Sequence, residues 1–177
     1  MNEQKEPRGI RNNNPLNLRI GNNWKGLVKE NTDGEFDQFE EMEWGIRAAL
    51  IVIHNYMSLY DLKTLQKIIE RWAPSSDGNN PKHYAELVAR NMGCDVTTKP
   101  RFNSPLEMLK MIDGMIRVEC GKVVDDFVII RGYALACTDL GVKPYLSELK
   151  TRDPLAHTCY VLTAENYEKS GRKSFRK

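Results

Sequence analysis

The rhythm of hydrophobic and polar positions changes near residue 43. Upstream, RNNNPLNLRI sets three Asn and a Pro ahead of a short apolar alternation, which reads as a loop entering a strand. WKGLVKE and EFDQFE are short segments rich in aromatic or β-branched residues, and they flank Asn31-Thr32-Asp33-Gly34. The Asp-Gly pair suits a tight turn, so a small β-hairpin is expected there. From Glu43 onward Trp44, Ala48, Ile51, Asn55 and Leu59 recur at helical spacing, with Ile46, Leu50 and Ile53 beside them. That is a helix apolar around much of its girth, as a central core helix must be.

The downstream helices carry their own start and stop signals. LQKIIERW follows Thr64 and stops at Pro74, and SSDGNN after it is a solvated loop. Asn80 caps a helix with Pro81 in its first turn, which runs to a stop at Gly93. Ser104-Pro105 repeats the start signal for LEMLKMIDGMIRVEC, ending near Gly121. Asp125 or Asp126 opens FVIIRGYALACTDL, closed by Gly141. After Pro144 the periodicity weakens, with YLSELK and LTAENYEKS as two short helices and SGRKSFRK as a basic, mobile end. The expected organisation is a disordered polar leader over 1–9, one domain over 10–143 and an extension over 144–177. The fold class is α+β, mainly α, with the hairpin as its β part.

Composition adds exclusions more than identities. In 177 residues, 41% hydrophobic and 28% charged, there is room for one domain with a real core. A net charge of +2 names no partner. The basic tail hints at nucleic acid, but no reading motif accompanies it, so no nucleic-acid partner is expected. The longest apolar run, Ala48 to Ile53, is too short to span a bilayer, and MNEQKEPRG has no apolar export segment. The expectation is therefore no membrane partner and synthesis in the cytoplasm without a signal peptide. Cys94, Cys120, Cys137 and Cys159 match no zinc or CxxC spacing and read as reduced thiols. His54, His83 and His157 lack ligand spacing, so neither a metal nor a cofactor is expected.

Two places carry candidate chemistry. On the helix that starts at Pro105, Met108, Ile112 and Met115 form a stripe widened by Leu109 and Ile116, and Glu119 falls four residues after Met115 on the same face. A carboxyl aimed at apolar surroundings, near the negative end of a helix dipole, favours the protonated form, as a general acid for glycosidic cleavage requires. The plainer reading is a Glu at a fraying helix end, in solvent or paired with Arg117 or Arg131. The second place is RGIRNNNPLNLRIGNNWKG. Asn side chains both donate and accept hydrogen bonds, and Trp24 offers an apolar face, a combination that suits sugar rings. Its plainer reading is Asn12, Asn13 and Asn14 shaping backbone turns, with Trp24 in the core. For Trp72, burial is favoured over ligand contact.

Taken together, RGIRNNNPLNLR, NNWKGL, EFDQFEEMEWGIRAAL and IIERWAPSSDGNNPKHYAELVA resemble a family of phage and prophage proteins described as virion structural proteins or lysins. The resemblance covers about Arg8 to Asp95 and at its widest reaches Leu140, with the tail after Pro144 outside it. Leu16 stands where that pattern usually has Gly, which puts the loop's turn in question. The same stretch is similar to peptidoglycan-cleaving glucosaminidases of lysozyme-like fold, whose catalytic Glu, however, precedes the Asn-rich segment. Here MIRVECG, from Met115 to Gly121, resembles the helix end that carries the acid of lytic transglycosylases. The resemblance thus implies a circularly permuted lysozyme-like domain in which Glu119 returns in space to the Asn-rich loop.

On that resemblance, Glu119 protonates the glycosidic oxygen between N-acetylmuramic acid and N-acetylglucosamine. Asn13, Asn14 and Asn17 contact N-acetyl or hydroxyl groups, while Trp24 and Tyr84 shape the cleft. The second step is attack either by the sugar's own 6-hydroxyl or by water assisted by Glu35 or Asp37. Glu43, at a helix start, is a weaker acid candidate. The implied partners are peptidoglycan glycan strands and other virion or tail proteins. The alternative is a non-catalytic virion structural or wall-binding protein.

Overall fold

The computed structural model describes residues 6–174 and contains eight α-helices among them. They are α1 (Arg8–Arg11), α2 (Met42–Ser58), α3 (Leu65–Trp72), α4 (Pro81–Met92), α5 (Pro105–Cys120), α6 (Asp126–Leu140), α7 (Leu146–Arg152) and α8 (Pro154–Ser174). The local signals for the middle helices are used as such. Thr64, Asn80, Ser104 and Asp125 each accept a backbone N–H of the first turn, satisfying donors that have no partner within the helix. Gly93, Gly121 and Gly141 end α4, α5 and α6 in the left-handed conformation that costs glycine least.

The core is helix against helix. α6 lies between α2 and α8, while α5 packs along α4 and touches α1, α6 and α7. Met108, Met111, Ile112, Met115 and Ile116 of α5 are fully buried, so the stripe read from the sequence is the helix's inner face. Each such side chain contributes about 1.5–3 kcal/mol relative to remaining exposed. Ile46, Ala49, Leu50 and Ile53 form the inner face of α2, and Leu59, expected on its apolar face, is 73% exposed beyond the helix end.

The small β-hairpin is not formed. Among the described residues its place holds two isolated antiparallel bridges, Arg19 with Phe36 and Leu27 with Phe39. The segment around 35–39 divides its backbone between two neighbours: Glu35 and Asp37 bond the chain at Leu18 and Ile20, whereas Gln38 bonds Val28. Neither pairing lengthens into a ladder. The Asp-Gly turn is governed by side chains instead, with Asn31 accepting from the Asp33 and Gly34 N–H groups and Asp33 accepting from Phe36.

Two further boundaries differ from expectation. Arg8 and Gly9, placed in a disordered leader, begin α1; residues 1–5 of that leader lie outside the described residues. The weakly patterned segment after Pro154 is one long helix rather than a short one, and the extension packs through Leu149, Ala156 and Tyr160, all buried. Of the basic end, residues 175–177 lie outside the described residues. No helix of the described residues is long and apolar enough to cross a membrane.

The Asn-rich loop is clamped by Gly45 of α2. A Cβ added there would meet the Asn13 carbonyl oxygen, a backbone atom that can yield only if the loop moves. Alanine in a helix interior gains about 1 kcal/mol over glycine, but overpacking costs about 1–3 kcal/mol, so the clash wins. Gly45→Ala is expected to lower the melting temperature. Gly171→Ala, on α8 where the added Cβ meets no packed neighbour among the described residues, is expected to raise it slightly. Paired thermal melts of the two variants check the sign of each.

Candidate functional site

Glu119 sits in the last turn of α5, and three donors from three segments converge on its carboxyl group. Asn17 Nδ2 lies 3.0 Å from Oε2, Trp72 Nε1 3.2 Å from Oε1, and the Tyr84 hydroxyl 3.0 Å from Oε1. Asn17 belongs to the Asn-rich loop, 102 positions away in the chain. Trp72 ends α3 and Tyr84 lies in the first turn of α4. Burial above all, and then the neighbouring Glu119 charge, hold the Tyr84 phenol well above its ordinary range, so it remains a proton donor. The adjacent Cys120 thiol is pushed up to about 11 by burial and by Glu119, and it donates to the Pro15 carbonyl at 3.2 Å. It is a structural thiol and not a nucleophile.

This group opens onto a cleft of about 450 Å³. One wall is the loop, with Leu16, Asn17, Leu18 and Arg19. The other is the end of α3 and the turn beyond it, with Arg71, Trp72, Asp77 and Asn79. The loop takes its shape from two left-handed residues, Asn13 at φ 50° and Asn17 at φ 52°, a conformation Asn tolerates better than most side chains. Leu16 is not left-handed and is buried in the loop wall, so the Gly usual at this position is not required. Gly9 is required. A Cβ there would come within 2.8 Å of both the Asn14 carbonyl oxygen and Asn17 Oδ1.

The site residues expected from sequence are divided by the structure. Glu119, Asn17 and Tyr84 come together. Asn13 does not line the cleft: its amide donates to the Phe39 and Glu40 carbonyls at 3.0 and 3.1 Å. Asn14 is fully buried, donating to the Leu18 and Asp37 carbonyls and accepting the Leu18 N–H, each at 2.9 Å. Both hold the loop, as the plainer reading had it. Trp24 is half-buried away from the cleft, its Nε1 without a partner among the described residues. Trp72, for which the sequence favoured burial over ligand contact, is half-buried, lines the cleft and bonds Glu119. Its signal was the helix stop at Pro74, which leaves Trp72 in a last turn facing a loop.

The secondary carboxylates are placed elsewhere. Glu43 pairs with Arg131 at 3.3 Å on another face of the molecule. Glu35 is bound by Arg8 at 2.8 Å and Arg19 at 2.7 Å, and these hydrogen bonds hold it below its ordinary range. Asp37 lines a different depression, near Asn22 and Val28. No group of three or more His, Cys, Asp or Glu among the described residues could hold a metal ion.

The fold and cleft thus define a mainly helical protein with a hydrogen-bonded carboxyl set into a polar-walled groove. No protein-family model matches the chain. The chain is similar to Protein P5 of Pseudoalteromonas phage PM2, 37% identical over 90 residues that take in 49% of this chain and 56% of that protein. It therefore spans little more than half the length of this curated relative.

Asp37 gives a pH-dependent prediction. The residue is 3% exposed, Oδ2 has no partner among the described residues, and burial pushes its carboxyl up. A carboxyl whose folded-state pKa is raised contributes stability below its unfolded value, and that contribution is lost as pH rises through the folded value. Asp37→Asn is expected to melt higher than wild type at pH 7, with the difference gone by about pH 4. Melts across that range showing the wild type more stable at pH 7 would contradict the assignment.

Proposed function

We propose that the chain is a phage-type, lysozyme-like protein whose cleft takes a glycan strand of peptidoglycan, with Glu119 as the acid that cleaves it. The observation that carries this reading is the hydrogen bond between Glu119 and Asn17. The implied permuted order needs the late helix end and the early Asn-rich loop to share one place, and they do. The likeness to a phage protein supports the phage origin.

In this reading Glu119 gives its proton to the oxygen between N-acetylmuramic acid and N-acetylglucosamine as the bond from that oxygen to the anomeric carbon breaks. Three fixed donors then surround the carboxylate left behind, so little reorganisation accompanies the step. Trp72 supplies an aromatic edge to the sugar path and Tyr84 fixes the carboxyl from below. For the second step, Asp37 lies outside the cleft and Glu35 is committed to two arginines. That favours attack by the substrate's own 6-hydroxyl, with Glu119 accepting its proton. Asp77, a second carboxylate on the cleft wall, is the remaining candidate for activating water. The products tell them apart, since the first route leaves an internal anhydro ring and the second a free reducing end.

A second reading, a non-catalytic virion or wall-binding protein using the same cleft, also accords with the phage relative. Glu119→Gln separates the two. Release of soluble fragments from purified sacculi is expected to fall by about 10²- to 10⁴-fold, because the amide cannot donate a carboxylic proton. The fold should persist. A Gln amide can keep the Trp72 and Tyr84 bonds on its oxygen, while its NH2 meets the Asn17 amide donor, so the loss is confined to that one contact, about 1–3 kcal/mol. Wild-type protein that binds sacculi and releases nothing from about pH 4 to 8, at and above the ordinary carboxyl range, would establish the binding reading instead.

A further inference from the structure

Glu119 accounts for the floor of the cleft, but not for the cation on its rim. Arg71 and Arg19 both line the cleft, on opposite walls. Arg19 is engaged, with Glu35 at 2.7 Å. Arg71 has no carboxylate within ion-pair range among the described residues, and aromatic rings hold it instead. Its guanidinium carbon lies 5.9 Å from the Tyr56 ring centre and 5.5 Å from that of Tyr60. Tyr56 also lines the cleft, and it stands nearly perpendicular to Tyr60, at 81° with ring centres 6.3 Å apart. Such stacking orients a guanidinium while leaving N–H donors for an incoming anion, and a planar fork of donors matches a carboxylate.

We propose that Arg71 is a substrate-selecting residue that binds a free carboxylate carried by the glycan strand, so that the cleft prefers strands bearing acidic stem peptides over neutral ones. The inference rests on the glycan-cleft reading and narrows its substrate class. Of the other ionisable residues lining the cleft, Arg19 is paired with Glu35, and Asp77 and Glu119 carry carboxyl groups, which leaves Arg71 as the place where an acidic substituent is accepted. A neutral chitin-type strand fills the sugar path but offers Arg71 nothing. An acidic strand closes an ion pair on the rim.

The test uses the Glu119→Gln protein, which binds without turnover, and measures the affinity of three four-ring ligands by calorimetry. They are a peptidoglycan tetrasaccharide bearing alanyl-glutamate stems, which carry carboxyls and no amine, the same compound with its carboxyls converted to methylamides, and chitotetraose. The acidic ligand is expected to bind roughly fivefold more tightly than its methylamide. That advantage should shrink at high salt and vanish in Arg71→Gln, while affinity for the two neutral ligands is unchanged. Equal affinity for the acidic ligand and its methylamide, or an Arg71→Gln variant that weakens all three alike, would overturn the role of Arg71 and leave the glycan-cleft reading standing. Failure of all three ligands to bind would remove both. Arg71→Lys keeps the charge but not the fork, and it should restore part of the advantage.

Discussion

A carboxyl group half-buried at the end of an apolar helix face is costly unless its lone pairs are occupied, and the arrangement around Glu119 follows from that cost. α5 buries a Met and Ile stripe on one face, and the geometry of the helix brings Glu119 round to that face one turn after Met115. The protein meets the acceptor demand from three directions: a loop amide, an indole and a phenol. Each donor is fixed by its own segment. Asn17 is held by a left-handed loop that Gly9 and Gly45 allow to lie close, Trp72 by the end of α3, and Tyr84 by a capped first turn of α4. The carboxyl is thus a point where four segments must agree.

That agreement explains the cleft as well as the site. α3 ends at Trp72, with Ala73 leaving helical geometry ahead of Pro74, and so the chain turns away just past the indole. The loop on the opposite wall cannot close the gap, because Asn14 is tied inward to the Leu18 and Asp37 carbonyls. Two walls held apart by their own hydrogen bonds, with an oriented carboxyl between them, make a groove that exists before any ligand arrives. Preorganisation of this kind lowers the entropic cost of holding any ligand in the groove.

Sequence conveyed the features that are local and missed those that depend on distant partners. The caps at Thr64, Asn80, Ser104 and Asp125 and the glycine stops act within one turn, and so were legible. The face of α5, and with it the aim of Glu119, was legible because 3.6-residue periodicity is strong over 16 residues. The hairpin was not, since Asp33, the turn residue that signalled it, is drawn toward Arg8 and Asn12 more than twenty positions upstream. Nor could the sequence tell which Asn of the run faces the cleft. Asn13, Asn14 and Asn17 share one chemistry, and only the backbone path decides that two hold the loop and one meets Glu119.

The C-terminal helices look like an appendage in sequence, yet buried Leu149, Ala156 and Tyr160 pack them on the domain, and one charge ties α8 to it as well. Arg47 of α2 is nearly buried, and a buried guanidinium without a partner would cost several kcal/mol. Asp139 of α6 supplies that partner, and it also accepts from Lys25 of the loop region at 2.8 Å and from Tyr167 of α8 at 3.0 Å. Burial works against its charged form, but Lys25, Arg47 and Tyr167 outweigh it and hold the Asp139 carboxyl below its ordinary range. Tyr167 then sets its ring edge-on to Trp44, 5.8 Å between centres, and Trp44 in turn fills the space that Gly26 leaves open. Through one carboxylate, α8 is coupled to α2 and to the chain that follows the Asn-rich loop. Loosening α8 would therefore be felt at Lys25, only a few residues beyond the wall of the cleft.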